Sequence, residues 1–230
     1  MELQITITDK ARNFNNYVSI IQRKDSGEES EYEMTLTEII RLLESAQVEI
    51  GMAPSPYLPR NCFKFLRGSG GLSYEVFVDI PKQQWNISFN NNPFTVGFPR
   101  MIFQWGATKN SMDNKNKWQV RLNSIYAVKG TRRIDKDTPL FHFPYSHVND
   151  SGNVCMGGNQ FPEIDCLSGL ETLHSIFLLS PFSHDYGAKT TLKKPCWELF
   201  STEFNQKDFN DEVLVSINKS FGTRFNIIED

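Results

Sequence analysis

The chain has 230 residues, with 24 Lys and Arg against 27 Asp and Glu and a formal net charge of −3. That length allows one sizeable core or two small ones with about 70% of the surface buried, and the scattered basic residues make no nucleic-acid footprint. No apolar run reaches the roughly 20 residues of a membrane span, and Met1 leads directly into a strand-like segment, so a cytoplasmic protein with neither membrane nor nucleic-acid partner is expected.

The first 23 residues alternate in the β manner, with Leu3, Ile5 and Ile7 followed by Tyr17, Ser19 and Ile21, and predict a hairpin turned near Lys10 to Asn15. The acidic stretch Asp25 to Glu33 reads as a solvated linker. Thr35 and Glu38 stand in capping-box register before Leu36, Ile39, Ile40, Leu42, Leu43 and Ala46, which share one helical face; this helix is expected to end near Gly51. Strands are predicted around Cys62 to Leu66, Tyr74 to Ile80, Trp85 to Phe89, Thr95 to Trp105 and Trp118 to Val128. An antiparallel four-strand meander flanked by helices, an α+β fold, is the economical reading. Asn90 to Pro93 is the clearest tight turn, Asn110 to Lys117 a longer exposed loop, and Gly68 to Gly71 a flexible connection without the Lys-Ser/Thr of a phosphate loop.

Lys129, Arg132, Arg133 and Lys136 read as a solvated loop face. After Pro139 the chain is irregular as far as Cys155. Apolar residues recur at helical spacing from Leu167 to Leu179, a shorter helix is predicted over Pro195 to Phe204, and a last one over Phe209 to Ser220.

Cys155 lies in Gly152-Asn153-Val154-Cys155-Met156-Gly157-Gly158, a glycine-flanked turn where another backbone can come close. Cys62 and Cys196 read as core thiols, and Cys166, at the start of a helix, as another. The four cysteines show no paired spacing and no Cys-x-x-Cys, which suits a reducing compartment. His142, His147, His174 and His184 lie near three of them, yet none makes a pair with common zinc spacing, so neither metal nor cofactor is expected.

The order helix, meander, polar turn, cysteine, helix, helix resembles the ubiquitin-conjugating fold. In that family the catalytic cysteine sits in a Gly-x-Val/Ile-Cys context eight residues after the Asn of a His-Pro-Asn element. Here Gly152-Asn153-Val154-Cys155 follows His147 by that interval, Phe161-Pro162 is similar to the family's aromatic-Pro element, and Leu170 to Leu179 leads into Ser180-Pro181-Phe182-Ser183-His184-Asp185, similar to its acidic gate loop. Pro139-Leu140-Phe141-His142, Val148 and the cysteine motif more narrowly resemble the bacterial ubiquitin-conjugating-like group called prokaryotic family D, which includes protein B of the PRTRC plasmid cassette. The resemblance is most specific over Pro139 to Asp185. It implies residues 35–230 as a ubiquitin-conjugating-like domain, with residues 1–34 an N-terminal β extension and acidic linker.

The resemblance also implies a function. Cys155 would receive a ubiquitin-like protein as a thioester from an activating enzyme of the ThiF type and pass it to an acceptor. A free thiol of pKa about 8.5 is a few per cent thiolate at neutral pH, enough for attack on an already activated thioester. This chain departs from the family where Tyr145, Ser146 and His147 replace His, Pro and Asn. Oxyanion donation therefore falls to a His147 ring nitrogen or to Asn149, and Asp185, with His184 as the alternative, would orient an acceptor lysine. Two other classes stay open: a noncatalytic module that binds a ubiquitin-like protein, and a cysteine hydrolase pairing Cys155 with His147 or His184.

Overall fold

The computed structural model describes residues 2–6, 17–45, 55–68, 72–109 and 117–227. The chain divides into two compact units, Met1–Ser55 and Pro56–Asp230. The expected boundary between residues 34 and 35 falls within the first.

In the first unit β1 (Glu2–Thr6), β2 (Tyr17–Arg23) and β3 (Glu29–Thr35) form an antiparallel sheet in that order, followed by α1 (Leu36–Ser45). The stretch read as an acidic linker thus contributes a strand. Its carboxylates find partners across β2: Arg23 meets Glu29 at 3.0 Å and the Ser19 hydroxyl donates to Glu31 at 2.8 Å. The Thr35 amide and hydroxyl both donate to Glu38 at 2.8 Å, and the Glu38 amide donates back to the Thr35 hydroxyl at 3.2 Å, closing the capping box. Ile39 of α1 packs on Val18, Ile20 and Met34. The expected turn near Lys10 to Asn15, the helix end near Gly51, most of the Gly68 to Gly71 connection and the loop from Asn110 lie outside the described residues.

The second unit contains β4 (Cys62–Arg67), β5 (Ser73–Ile80), β6 (Gln83–Phe89), β7 (Asn92–Phe98), β8 (Arg100–Lys109), β9 (Trp118–Val128), β10 (Pro139–His142), α2 (Leu170–Leu178), α3 (Cys196–Thr202), β11 (Ser216–Ser220) and α4 (Phe221–Phe225). Six strands make one antiparallel sheet in the order β11-β10-β9-β8-β5-β4, while β6 and β7 form a separate hairpin. The sheet is wider than the four strands expected. The segment Thr95 to Trp105, read as one strand, breaks at Pro99, which has no amide hydrogen for a ladder and passes the chain from the hairpin to the sheet. The helix expected over Phe209 to Ser220 is instead a single 3-10 turn at Asp211–Val213 and then β11. Asn210 caps that turn and Ser220 caps α4, so the helix begins at Phe221, just past the segment the apolar pattern suggested.

Both sheet faces are buried. Val76, Val78, Met101, Phe103, Trp105 and Ile125 pack with Leu170, Leu173 and Phe177 from α2, whereas Phe77, Ile102 and Tyr126 pack with Phe221 on the other side. Among the described residues no helix is long and apolar enough to cross a membrane.

Two histidines in this unit are held against protonation. His174 lies edge-on to Trp85 and Phe103, at 6.0 and 6.2 Å, and burial lowers its pKa; burial lowers that of His142 too, with Lys189 adding to the effect. An unfolded chain takes up these protons near pH 6.5, where the folded one still refuses them. Stability is therefore expected to fall as pH drops through 6.5 and to level off below the folded values. The urea midpoint, compared at pH 7.5 and 5, reads this directly. His174→Gln flattens the decline, and an unchanged slope in that variant refutes the assignment.

Candidate active site

Residues 147–155 form a tight loop pinned to β9. Val148 and Val154 face each other in an antiparallel bridge, and Asn153 bridges Ser124 of β9. The Ile125 amide donates to Gly152 O at 3.0 Å, and the Val154 amide to Asn123 O at 3.3 Å. Asn149 shapes the turn, because its side-chain oxygen accepts the amides of Ser151 and Asn153 at 2.9 and 3.0 Å. Gly152 has φ +80°, and a Cβ there would collide with the hydroxyl end of Tyr126. The Asn-Asp-Ser-Gly sequence is thus the chemistry of one turn, and its product is a half-buried Cys155 at a fixed place.

His147 joins this turn to the loop after α2. Its φ is +70° and it is buried. Its carbonyl accepts the Cys155 amide at 2.8 Å, and its own amide donates to Asp185 O at 3.1 Å. Nε2 accepts the Ser183 amide at 2.9 Å, which places the ring's N–H at Nδ1, and Nδ1 faces Cys155 O at 3.4 Å. The ring also stands edge-on to Phe182, 5.3 Å between centroids. Neither nitrogen is left over.

Backbone bonds therefore bring Cys155, His147, Asn149 and Asp185 together. The exposed Asp185 carboxylate accepts the Ser183 hydroxyl at 3.0 Å. His184 is exposed beside it, its Nε2 accepting the Asn90 side-chain amide at 2.8 Å and its ring edge-on to Phe89 at 5.0 Å. The β6–β7 hairpin supports this loop: the Phe182 amide donates to Ser88 O at 2.7 Å and the Asn90 amide to Phe182 O at 3.1 Å. The sequence marks Asn90 only as a turn residue, and the structure places it there with a left-handed φ of 46°.

Lys189 was missed altogether. Its Nζ donates to Val148 O at 2.7 Å and Tyr186 O at 3.2 Å and stands 3.6 Å from Asp150, tying the two loops together from behind. Burial lowers its pKa, and Asp150 opposes that. Beside the cysteine, Leu122, Val154, Met156 and Phe161 line a cavity of about 520 Å³. A Cβ at Gly157 or Gly158 would meet nothing within 4 Å, so the backbone after Cys155 is open to approach.

The other thiols lie elsewhere. Burial raises the pKa of Cys62 and of Cys196, and the Cys166 thiol donates to Tyr57 O at 3.5 Å. Among the described residues no group of three His, Cys, Asp or Glu could hold a metal ion.

A family model described as prokaryotic E2 family D matches residues 39–217. No curated protein and no solved structure matches the chain.

Proposed function

The chain belongs to prokaryotic E2 family D, and from that premise we propose that it is a ubiquitin-conjugating-like carrier working through a thioester on Cys155. The Cys155 sulfur attacks the C-terminal carbonyl of a ubiquitin-like protein held as a thioester on a ThiF-type activating enzyme. A new carbon–sulfur bond forms, the donor's bond breaks, and the Cys155 proton leaves with the departing thiol. An acceptor amine then attacks the carrier thioester, forming an amide and returning the Cys155 thiol. The observation that carries this reading is a half-buried cysteine with its backbone fixed by His147, set between a cavity and an open Gly157-Gly158 segment suited to an extended tail.

The side chains divide the remaining work. His147, with both ring nitrogens engaged, serves as a tether for Cys155 more readily than as an oxyanion donor. That leaves the amide NH2 of Asn149 as the donor closest in sequence, its oxygen being spent on the turn. Asp185 and His184, exposed on the rim, are suited to orient an amine. The four free cysteines fit the reducing conditions of the cytoplasm.

The engaged His147 is also what favours a second reading, a noncatalytic module that binds a ubiquitin-like protein. The hydrolase reading has less support, since Nε2 of His147 accepts the Ser183 amide and Nε2 of His184 accepts the Asn90 side-chain amide, so both of these lone pairs are already engaged. Incubation with a ubiquitin-like protein, a ThiF-type activating enzyme and ATP separates these. The carrier forms an adduct mapped to Cys155 and cleaved by hydroxylamine, absent without ATP. Noncovalent binding with no adduct supports the module instead, and ATP-independent cleavage of the tail the hydrolase.

A further inference from the structure

The helix α4 lies beyond residues 39–217, the part matched to the family, yet its Arg224 reaches the turn that carries Cys155. Arg224 Nε donates to the Tyr126 hydroxyl at 2.5 Å, and an Arg224 Nη donates to Ser151 O at 3.1 Å. The Tyr126 hydroxyl donates to the same Ser151 O at 2.5 Å. These three bonds close a ring in which each hydrogen has an acceptor. The guanidinium also lies 5.4 Å from the Tyr126 ring centroid and 5.3 Å from that of Phe225. Ser151 directly precedes Gly152, whose carbonyl is one of the points where the turn meets β9.

The post from which Arg224 extends is itself fixed. Phe221 is 2% exposed, and its ring meets those of Phe63 and Phe77 at 5.2 and 5.1 Å. The Gly222 amide donates to Lys136 O at 2.7 Å, and Lys136 leaves no room for a Cβ at Gly222.

We propose that Arg224 is a positioning residue for Cys155, and that the C-terminal segment Ser216 to Phe225 is part of the scaffold of the cysteine turn. The planar fork of arginine donates to two acceptors at once, which the single ammonium of lysine does not reproduce in this geometry. The effect of Arg224 on thioester formation rests on the carrier reading; its hold on the turn does not.

The test uses the full chain with Arg224→Ala, Arg224→Lys and Tyr126→Phe, the last keeping the buried ring if the arginine variants fail to fold. Two measurements need no partner: hydrogen exchange at the amides of residues 149–155, and alkylation of Cys155 by iodoacetamide mapped by peptide mass spectrometry, with half-buried Cys166 as internal control. Loss of bonds to a charged group shifts local opening by about tenfold. Arg224→Ala is therefore expected to raise exchange and Cys155 alkylation by about that factor, with Cys166 unchanged; Arg224→Lys recovers part of the effect at most, and Tyr126→Phe follows the same direction. Unchanged exchange and alkylation at Cys155 overturn the proposal, as does an equal rise at Cys166, which means general loosening. Charging by activating enzyme and ATP slows in Arg224→Ala if both readings hold. A wild-type chain that never charges removes the carrier reading, while exchange and alkylation still decide the role of Arg224.

Discussion

Replacing Cys155 with alanine is expected to abolish the hydroxylamine-labile adduct, and replacing it with serine to leave an oxyester that resists thiol reagents. The serine adduct forms about a hundredfold more slowly or worse, because a hydroxyl without a general base is a poor nucleophile. His147 does not serve as one, because its Nε2 accepts the Ser183 amide and its Nδ1 faces Cys155 O. Neither variant disturbs the turn, since the bonds that hold residue 155 run through its amide to His147 O and through Asn149, Gly152 and Val154. Loss of the adduct is then a chemical result and not a folding one, and matched urea midpoints check that. Cys166→Ser, on a thiol bonded to Tyr57 O, is expected to charge like the wild type. Retention of wild-type charging in Cys155→Ser removes Cys155 from the reaction.

What local sequence could reveal and what it could not divide along one physical line. The Thr35 and Glu38 capping box, the helical face around Leu170 and Leu173, and the turn before Cys155 are written within a few neighbouring residues, and each appears where its chemistry put it. The strand Glu29–Thr35 was hidden because its exposed face carries acids that suggest solvent, and only pairing with Arg23 and Ser19 makes them at home in a sheet. At the site the contrast is sharper. Cys155 was singled out from its own flanks, but the engagement of His147 depends on Ser183, Lys189 acts on Val148 O, Asn90 arrives from a hairpin, and Arg224 reaches Ser151 from the last helix. None of these pairs leaves a period or a spacing in the chain. An interval of eight residues marked His147 as a family position, yet its tether to Ser183 required the fold.

Gly152 is where backbone and side-chain constraints meet, and Gly152→Ala is expected to be among the most damaging single-methyl changes in the second unit. A left-handed φ of +80° alone costs an alanine roughly 1 kcal/mol. The added Cβ also falls on Tyr126, which is 1% exposed and has nowhere to retreat, so overpacking adds about 1–3 kcal/mol. Any retreat of the ring also breaks the Tyr126 bond to Ser151 O and the Arg224 bond to Tyr126. The sum is about 3 kcal/mol, a fall in melting temperature on the order of 10 °C. Gly157 supplies the control, with φ +58° and open space around an added Cβ. Gly157→Ala bears only the backbone penalty and is expected to lower the melting temperature by about a third as much. Equal shifts in the two variants mean that Tyr126 yields freely, and the rigid seat of the Cys155 turn is then refuted. Unequal shifts, with Cys155 alkylation altered only in Gly152→Ala, mean that the ring of Tyr126 sets where the thiol stands.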